Sequence, residues 1–354
     1  MYKLLTINPG STSTKIAVYE DEKQLFSHTF DHDAKELEQF ASLNDQIPYR
    51  TELILAYLKD QGYDLCVFDG IVARGGMLPP IETGGYAINE AMKDCLLHCP
   101  AMQHASNLGA LIADEIAKPY KTPAWIYDAV VSDELPPEAK ITGFPEIERQ
   151  SFSHVLNARA MARKAAEQTG KKYEDCNYIV VHMGGGVSVA AHAKGRMIDS
   201  VSDDAGPFSP DRSGSVNLMY LVDLCFDSGL DKKSIMKKIR GAGGMKAHLG
   251  THDLREVQKR ISEGDEKAKL VFDAMALQIA KGAGCMMGVF EEPIDGVILT
   301  GGLANSMDLV DAITKRLQHL LPVIVLPGEN EMESLALGGL RILRGEELAK
   351  VFSM

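Results

Sequence analysis

The chain predicts an α/β fold built twice over. Three observations lead there. Short β-branched and apolar runs alternate with helix-length amphipathic ones along the whole sequence. The 354 residues exceed the roughly 250–300 at which a single core stops growing, so two domains are expected. The turn Asn8-Pro9-Gly10-Ser11-Thr12-Ser13-Thr14 lies without gaps on His182-Met183-Gly184-Gly185-Gly186-Val187-Ser188, with polar residue, spacer and glycine in register at an offset of 174 residues between 8 and 182.

Residues 2–8 and 14–19 read as strands because apolar and β-branched residues flank a Gly/Ser/Thr cluster. There follow an amphipathic helix at 49–59, a buried strand at 65–73 ending on Arg74-Gly75-Gly76, a helix capped by Asn89, a helix near 105–117 and a short strand at 124–128. Pro136, Pro137 and Gly143 leave 132–144 without periodicity, so it reads as a connection, with a domain boundary near 131. Beyond it a helix at 153–168 leads to a strand at 178–182, the turn Gly184-Gly185-Gly186 and a strand at 187–193. A loop rich in Asp, Gly and Pro spans 203–214, and helices are expected near 215–226, 232–240 and 266–290. A strand at 296–300 runs into Gly301-Gly302, and a helix at 307–320, a strand at 323–326 and a helix at 331–348 complete the pattern.

A formal charge of -12 with no basic stripe argues against nucleic acid as a partner. Anions must then be held by individual arginines and backbone amides. Six cysteines without any CxxC fit buried thiols in a reducing cytosol, and the sequence offers no apolar run near the ~18 residues of a membrane helix. The expectation is a cytoplasmic protein without a membrane partner.

Turns of small residues let backbone amides and hydroxyls approach a bound anion, and Gly10, Ser11, Ser13 and Gly184, Gly185, Gly186 supply two of them. The first is no Walker A loop: Gly10 to Lys15 lacks the second glycine before the lysine, and a strand follows. A plain tight hairpin is the alternative for either turn. Gly301-Gly302-Leu303-Ala304-Asn305, between strand and helix, suits an adenine or ribose, whereas Gly282-Ala283-Gly284 lies inside a helix and reads as close packing. Arg74 and Arg212 sit beside glycines, where a guanidinium can hold carboxylate or phosphoryl oxygens, or simply form a surface ion pair. His154 at a helix start could donate to a transferring phosphoryl or be packed; Asp128 and Glu331, at element ends, could serve magnesium, orient an arginine, or cap.

Taken in order, TINPGSTSTKIAVY (6–19), VARGG (72–76), SFSHVLNARA (151–160), VVHMGGGVSVAAHAKGRMIDS (180–200), PFSPDRSGS (207–215), GTHDLRE (250–256), LTGGLANS (299–306) and PGENEMESLALGG (327–339) resemble the acetate and butyrate kinase family over nearly the whole chain. The resemblance implies a duplicated actin-like (ribonuclease H-like) ATPase fold with a nucleotide cleft between two domains, 1–131 plus 331–354 and 132–330. It implies ATP/ADP and Mg²⁺ as cofactors, a small carboxylate substrate, and a homodimer or higher homo-oligomer. Carried over by position, Asn8, Gly10, Ser11, Ser13, Lys15, His182 and Gly184–Gly186 fall to the phosphates, Asp253, Arg255, Gly301, Gly302 and Asn305 to the nucleoside side. Arg74, Asp128, His154 and Arg212 become catalytic, and Asn8 and Glu331 metal-associated. Gly75 and Ser153 stand where acetate kinases carry bulkier residues, which with Arg74 and Arg212 implies a roomier acid pocket for C3–C5 acids, butyrate first. Acetate or propionate, a sugar hydroxyl, or a non-metabolic ATPase switch of the same fold are the rivals.

Overall fold

The computed structural model describes residues 1–353 and divides into two compact units, 1–133 with 330–354, and 134–329. Residue 354, which closes the first expected domain, lies outside the described residues. The first unit opens with β1 (Lys3–Pro9), β2 (Ser13–Glu20) and β3 (Lys23–Asp31), then α1 (Ala34–Leu37), α2 (Gln46–Asp60), β4 (Gly70–Arg74), β5 (Gly85–Ala87), α3 (Glu90–His98), α4 (Leu108–Ala117) and β6 (Ala124–Tyr127). The second contains α5 (Pro137–Lys140), α6 (Val155–Gln168), β7 (Asn177–Met183), β8 (Val187–Ala193), β9 (Arg196–Val201), α7 (Leu218–Asp227), α8 (Lys232–Ile239), α9 (Gly244–Leu249), α10 (Leu254–Ser262), α11 (Glu266–Met286), β10 (Gly296–Gly301), α12 (Met307–Leu317) and β11 (Val323–Pro327). The chain then returns to the first unit with α13 (Glu331–Leu343) and β12 (Lys350–Val351).

The two sheets share one plan. In the first, the order β6-β4-β1-β2-β3 is parallel from β6 to β1 and antiparallel beyond; in the second, β11-β10-β7-β8-β9 repeats it. Strand β1 is buried on both faces, from Leu4 to Pro9, because α13 lies on one side of it and α4 on the other. Strand β7 is covered likewise by α6 and α11.

Register sharpens the internal match. Asn8 stands opposite Lys15 and His182 opposite Ser188, so the first turn is one residue longer and Lys15, not Thr14, corresponds to Ser188. The ungapped alignment of the turns is corrected accordingly. Counted this way, the ladder irregularities at Val18/Tyr19 and Ala191/His192 fall at equivalent places, and Arg74-Gly75-Gly76 at the end of β4 occupies the position of Thr300-Gly301-Gly302 at the end of β10.

Several expected elements shift for local reasons. The strand expected over 65–73 begins only at Gly70: Leu65–Val67 form a 3₁₀ turn whose Cys66 amide donates to the Asp64 side chain at 3.2 Å. The helix expected to reach 348 stops at Leu343, since Gly345 takes a φ of +73° and lets the chain fold back for β12 to pair with β5. Strands β3, β9 and β12 and helices α9 and α10 were not legible. Residues Glu266–Val289 form a helix long and apolar enough to cross a membrane, contrary to the sequence reading; Ala268, Val271, Phe272, Met275, Ala276, Ile279, Ala280 and Ala283 are nevertheless buried in the core of the second unit.

Helix α13 approaches its sheet through Gly338 and Gly339: a Cβ at 338 would stand 2.6 Å from the Tyr127 ring. Gly338→Ala should therefore destabilise by about 1–3 kcal/mol, read as a lower urea midpoint with unchanged slope.

Candidate active site

In the first unit three expected residues meet at the carboxyl ends of parallel strands, where open α/β sheets place ligands. Asn8 is the penultimate residue of β1, Arg74 ends β4, and Glu331 opens α13. Asn8 Nδ2 donates to Glu331 Oε2 at 2.5 Å and Arg74 Nη1 to Glu331 Oε1 at 2.9 Å. One carboxylate thus holds both an amide and a guanidinium. Asp128, just after β6, is buried with a left-handed φ of +41°; its Oδ1 accepts from the Gly84 amide at 2.7 Å and its own amide donates to Gly84 O at 3.1 Å. Lys15 shares the face of Asn8 across the ladder with an exposed side chain.

Glycines 75 and 76 do not open space for an acid. A Cβ at 75 would collide with Ala129, and one at 76 would lie 2.8 Å from Asn107 Cα, so close packing within the unit explains both. This corrects the argument that Gly75 enlarges the pocket.

In the second unit His154 is the residue before α6, and its ring stacks on His182 at 3.9 Å between centroids and 9° between planes. Ser188 Oγ lies 2.9 Å from His154 Nδ1. Asn157, one helical turn on, places Nδ2 at 2.9 Å from His182 Nδ1 and 3.2 Å from Thr300 Oγ1. A donor on Nδ1 leaves the proton of neutral His182 on Nε2, the nitrogen 3.6 Å from where a Cβ of Gly184 would sit. Ser153 is buried, with Oγ 3.5 Å from Met197 Sδ.

Gly185 and Gly186 pack against two acids. A Cβ at 186 would strike the Asp203 carboxylate, and one at 185 would lie 3.5 Å from Asp211 Oδ1. Arg212 lies across both, with Nε at 3.1 Å from Asp203 Oδ2 and Nη1 at 2.5 Å from Asp211 Oδ1. Arg240 takes the other Asp203 oxygen at 2.5 Å. Burial works to raise the Asp203 carboxyl, but the Arg240 hydrogen bond and the charges of Arg240, Arg212 and His154 outweigh it and hold it below the usual range.

The third glycine turn lies against the second: Gly301 has a φ of +88°, and a Cβ there would meet the Met183 backbone. Asn305 Nδ2 donates to Gly302 O at 3.0 Å. Asp253 caps α10 and takes Arg255 in a two-pronged ion pair at 3.0 and 2.7 Å, which with the helix amides pulls its carboxyl down to about 2. The Arg255 side chain is exposed; Gln258, a turn later, ties α10 to Ser306 Oγ at 3.2 Å, and Ser306 caps α12.

The sequence reading passed over Arg50, Asn157, Asp203 and Arg240. Arg50 had a signal: it sits four and eight residues before Ile54 and Leu58, on the apolar face of α2, where a charge needs a reason.

Two sheets of one topology, each with a small-residue turn after its first strand and cations nearby, define a phosphotransferase of the duplicated actin-like ATPase fold. A family model described as the acetokinase family matches residues 132–335, and the chain belongs to that family, whose members are kinases using ATP and ADP. It is 46% identical to butyrate kinase 1 of Clostridium acetobutylicum over 354 residues, covering 99% of this chain and 100% of that protein. It is 47% identical to a probable butyrate kinase of Phocaeicola vulgatus over 352 residues, 99% of each chain. Among solved structures, acetate kinase of Porphyromonas gingivalis has a TM-score of 0.81 at 20% identity, covering 97% of this chain and 100% of that one. A propionate kinase of Francisella tularensis has 0.77 at 19%, covering 96% and 99%.

Asp203→Asn tests the arginine anchorage. The folded-state pKa of Asp203 is depressed, so its contribution is present above the unfolded value near 4 and lost as pH falls through the folded value. The variant should lose about 3 kcal/mol at pH 7 and show a flatter decline as pH falls below about 4 in urea midpoints taken across a pH series.

Proposed function

We propose that this chain transfers the γ-phosphoryl group of ATP to butyrate or a branched C4–C5 acid, giving ADP and an acyl phosphate, reversibly. What supports it most is the Asn8–Glu331–Arg74 cluster at the ends of β1 and β4, an anion-binding arrangement on a chain 46% identical to a butyrate kinase along its length. A carboxylate is already a nucleophile at neutral pH, so no general base is needed. Its oxygen attacks phosphorus in line while the bond to the β–γ bridging oxygen breaks, and ADP leaves with that electron pair.

Arg74, oriented by Glu331, and Arg212, oriented by Asp203 and Asp211, balance charge on the equatorial oxygens. His154 donates to the same group; Gly10, Ser11, Ser13, Gly184–Gly186, Lys15 and His182 hold the phosphates, and Gly301, Gly302, Asn305, Asp253 and Arg255 the nucleoside. Asp128 acts by fixing the backbone beside Arg74. Among the described residues no group of three or more His, Cys, Asp or Glu could hold a metal ion. That donor set fits magnesium arriving with the nucleotide, which keeps mostly phosphate and water ligands. Both Glu331 oxygens accept N–H groups, so the Asn8 amide oxygen is the protein ligand the set best offers, with Glu331 behind it. Magnesium would supply charge neutralisation at the β- and γ-phosphates. We also place the protein in the cytoplasm, where six free thiols are at home, although only Cys95 and Cys176 are buried as expected and the other four are exposed, as a homodimer or higher oligomer, which exposed Leu218, Met219, Tyr220 and Phe226 of α7 support.

The packing of Gly75 and Gly76 favours keeping acetate and propionate as alternative acids. Trapping with hydroxylamine in the presence of ATP should yield butyryl hydroxamate, and kcat/KM should rise from acetate to butyrate and isobutyrate; higher efficiency on acetate overturns the choice of acid. Arg212→Ala should lower kcat about a thousandfold while the protein stays folded; an unchanged rate removes Arg212 from the mechanism. Light scattering giving the mass of one chain would reject the oligomer.

A further inference from the structure

Arg50 is 1% exposed, yet none of its partners is an acid. Its Nη1 donates to Gly10 O at 2.9 Å, Ser13 O at 3.0 Å and Thr14 Oγ1 at 2.9 Å; Nη2 donates to Ser11 O at 3.3 Å and Gln46 Oε1 at 2.9 Å, and Nε to the same Gln46 oxygen at 3.2 Å. The remaining turn carbonyl, of Thr12, accepts from the His32 amide at 2.9 Å. Every carbonyl of the turn Gly10–Ser13 is therefore held by a donor. Burial alone pushes Arg50 down to about 10, far above neutrality, so a full positive charge sits behind the turn.

A trans peptide directs its C=O and N–H to opposite sides. Fixing the Gly10 and Ser11 carbonyls on Arg50 turns the Ser11 and Thr12 amides away from it. Ser11 and Thr12 are exposed, and successive amides so arranged form an anion nest. Thr14 extends the device: its hydroxyl accepts from Arg50 and lies 2.8 Å from His32 Nε2, and burial together with the Arg50 charge lowers that ring's pKa.

We infer that Arg50 is a positioning residue for nucleotide phosphate: it shapes the β1–β2 turn by binding its carbonyls, presents the turn's amides outward, and lends the turn a buried charge that no protein acid neutralises. This rests on the kinase reading above. An unpaired buried guanidinium is costly, and phosphate at the turn offsets that cost, so the effect belongs to nucleotide binding and not to the acid.

Arg50→Lys tests it, since lysine keeps the charge and cannot span these acceptors. The expected result is KM for ATP raised about tenfold, equivalent to about 1.4 kcal/mol, with KM for butyrate little changed and the ATP-induced rise in Tm reduced. A merely structural role would lower Tm without separating the two KM values. If Arg50→Lys does not fold, Gln46→Met, which removes only the side-chain acceptor aligning the guanidinium, should shift KM for ATP in the same direction by a smaller factor. A folded variant with unchanged KM for ATP, or with both KM values raised equally, overturns the inference. A wild type that forms no acyl phosphate overturns the kinase reading instead, and is seen before any variant is made.

Discussion

A turn that offers its amide hydrogens to an anion has to give its carbonyl oxygens another partner, because each peptide plane sends the two groups in opposite directions. Both units meet this demand, by different means. In the first the partner is a buried guanidinium and the His32 amide just beyond β3; in the second Gly185 O accepts from Ser209 Oγ at 2.6 Å and the Asp211 amide at 3.3 Å, and Gly186 O from Gly184 N at 2.9 Å. Once the carbonyls are held from behind, the remaining surface of each turn is donor-rich, which suits phosphate.

The duplication explains where such turns can exist. Each follows the first strand of a sheet covered by helices on both faces, and each strand beside it ends in a polar residue and two glycines, Arg74-Gly75-Gly76 and Thr300-Gly301-Gly302. The two copies differ at this point. The arginine stands in the first copy and threonine in the second, where the left-handed Gly301 lets the next turn press on Met183. Carboxylates do comparable work in both: Glu331 orients Arg74, and Asp203 with Asp211 orients Arg212, so each guanidinium is held in a fixed direction with its side-chain entropy already spent on folding.

Much of this is legible in the sequence. The two hairpins, their shared pattern, and Ser306 and Asn89 as helix caps are local signals, written within a few residues. Asn8, Arg74 and Glu331 were each singled out from their neighbours, and the fold and family follow from the ordered motifs. What escaped were elements held by non-local pairing: β3 and β9 are outer strands whose pattern is weak without their partners, and β12 is two residues that only β5 makes a strand. The one-residue difference between the turns also escaped, because glycine-rich runs align equally well in two registers.

The sequence by itself determined the α/β class, the twofold plan, the small-residue turns and the arginines that can hold an oxyanion, since these depend on residue type and short-range periodicity. Tertiary structure alone decided that Glu331 joins Asn8 to Arg74 across more than two hundred and fifty residues, that Gly75 is small because Ala129 fills its space, and that Arg50 stands behind the first turn. Those are relations between distant segments, and hydrogen bonds and steric exclusion act through space, where the order of residues along the chain carries no direct record of them.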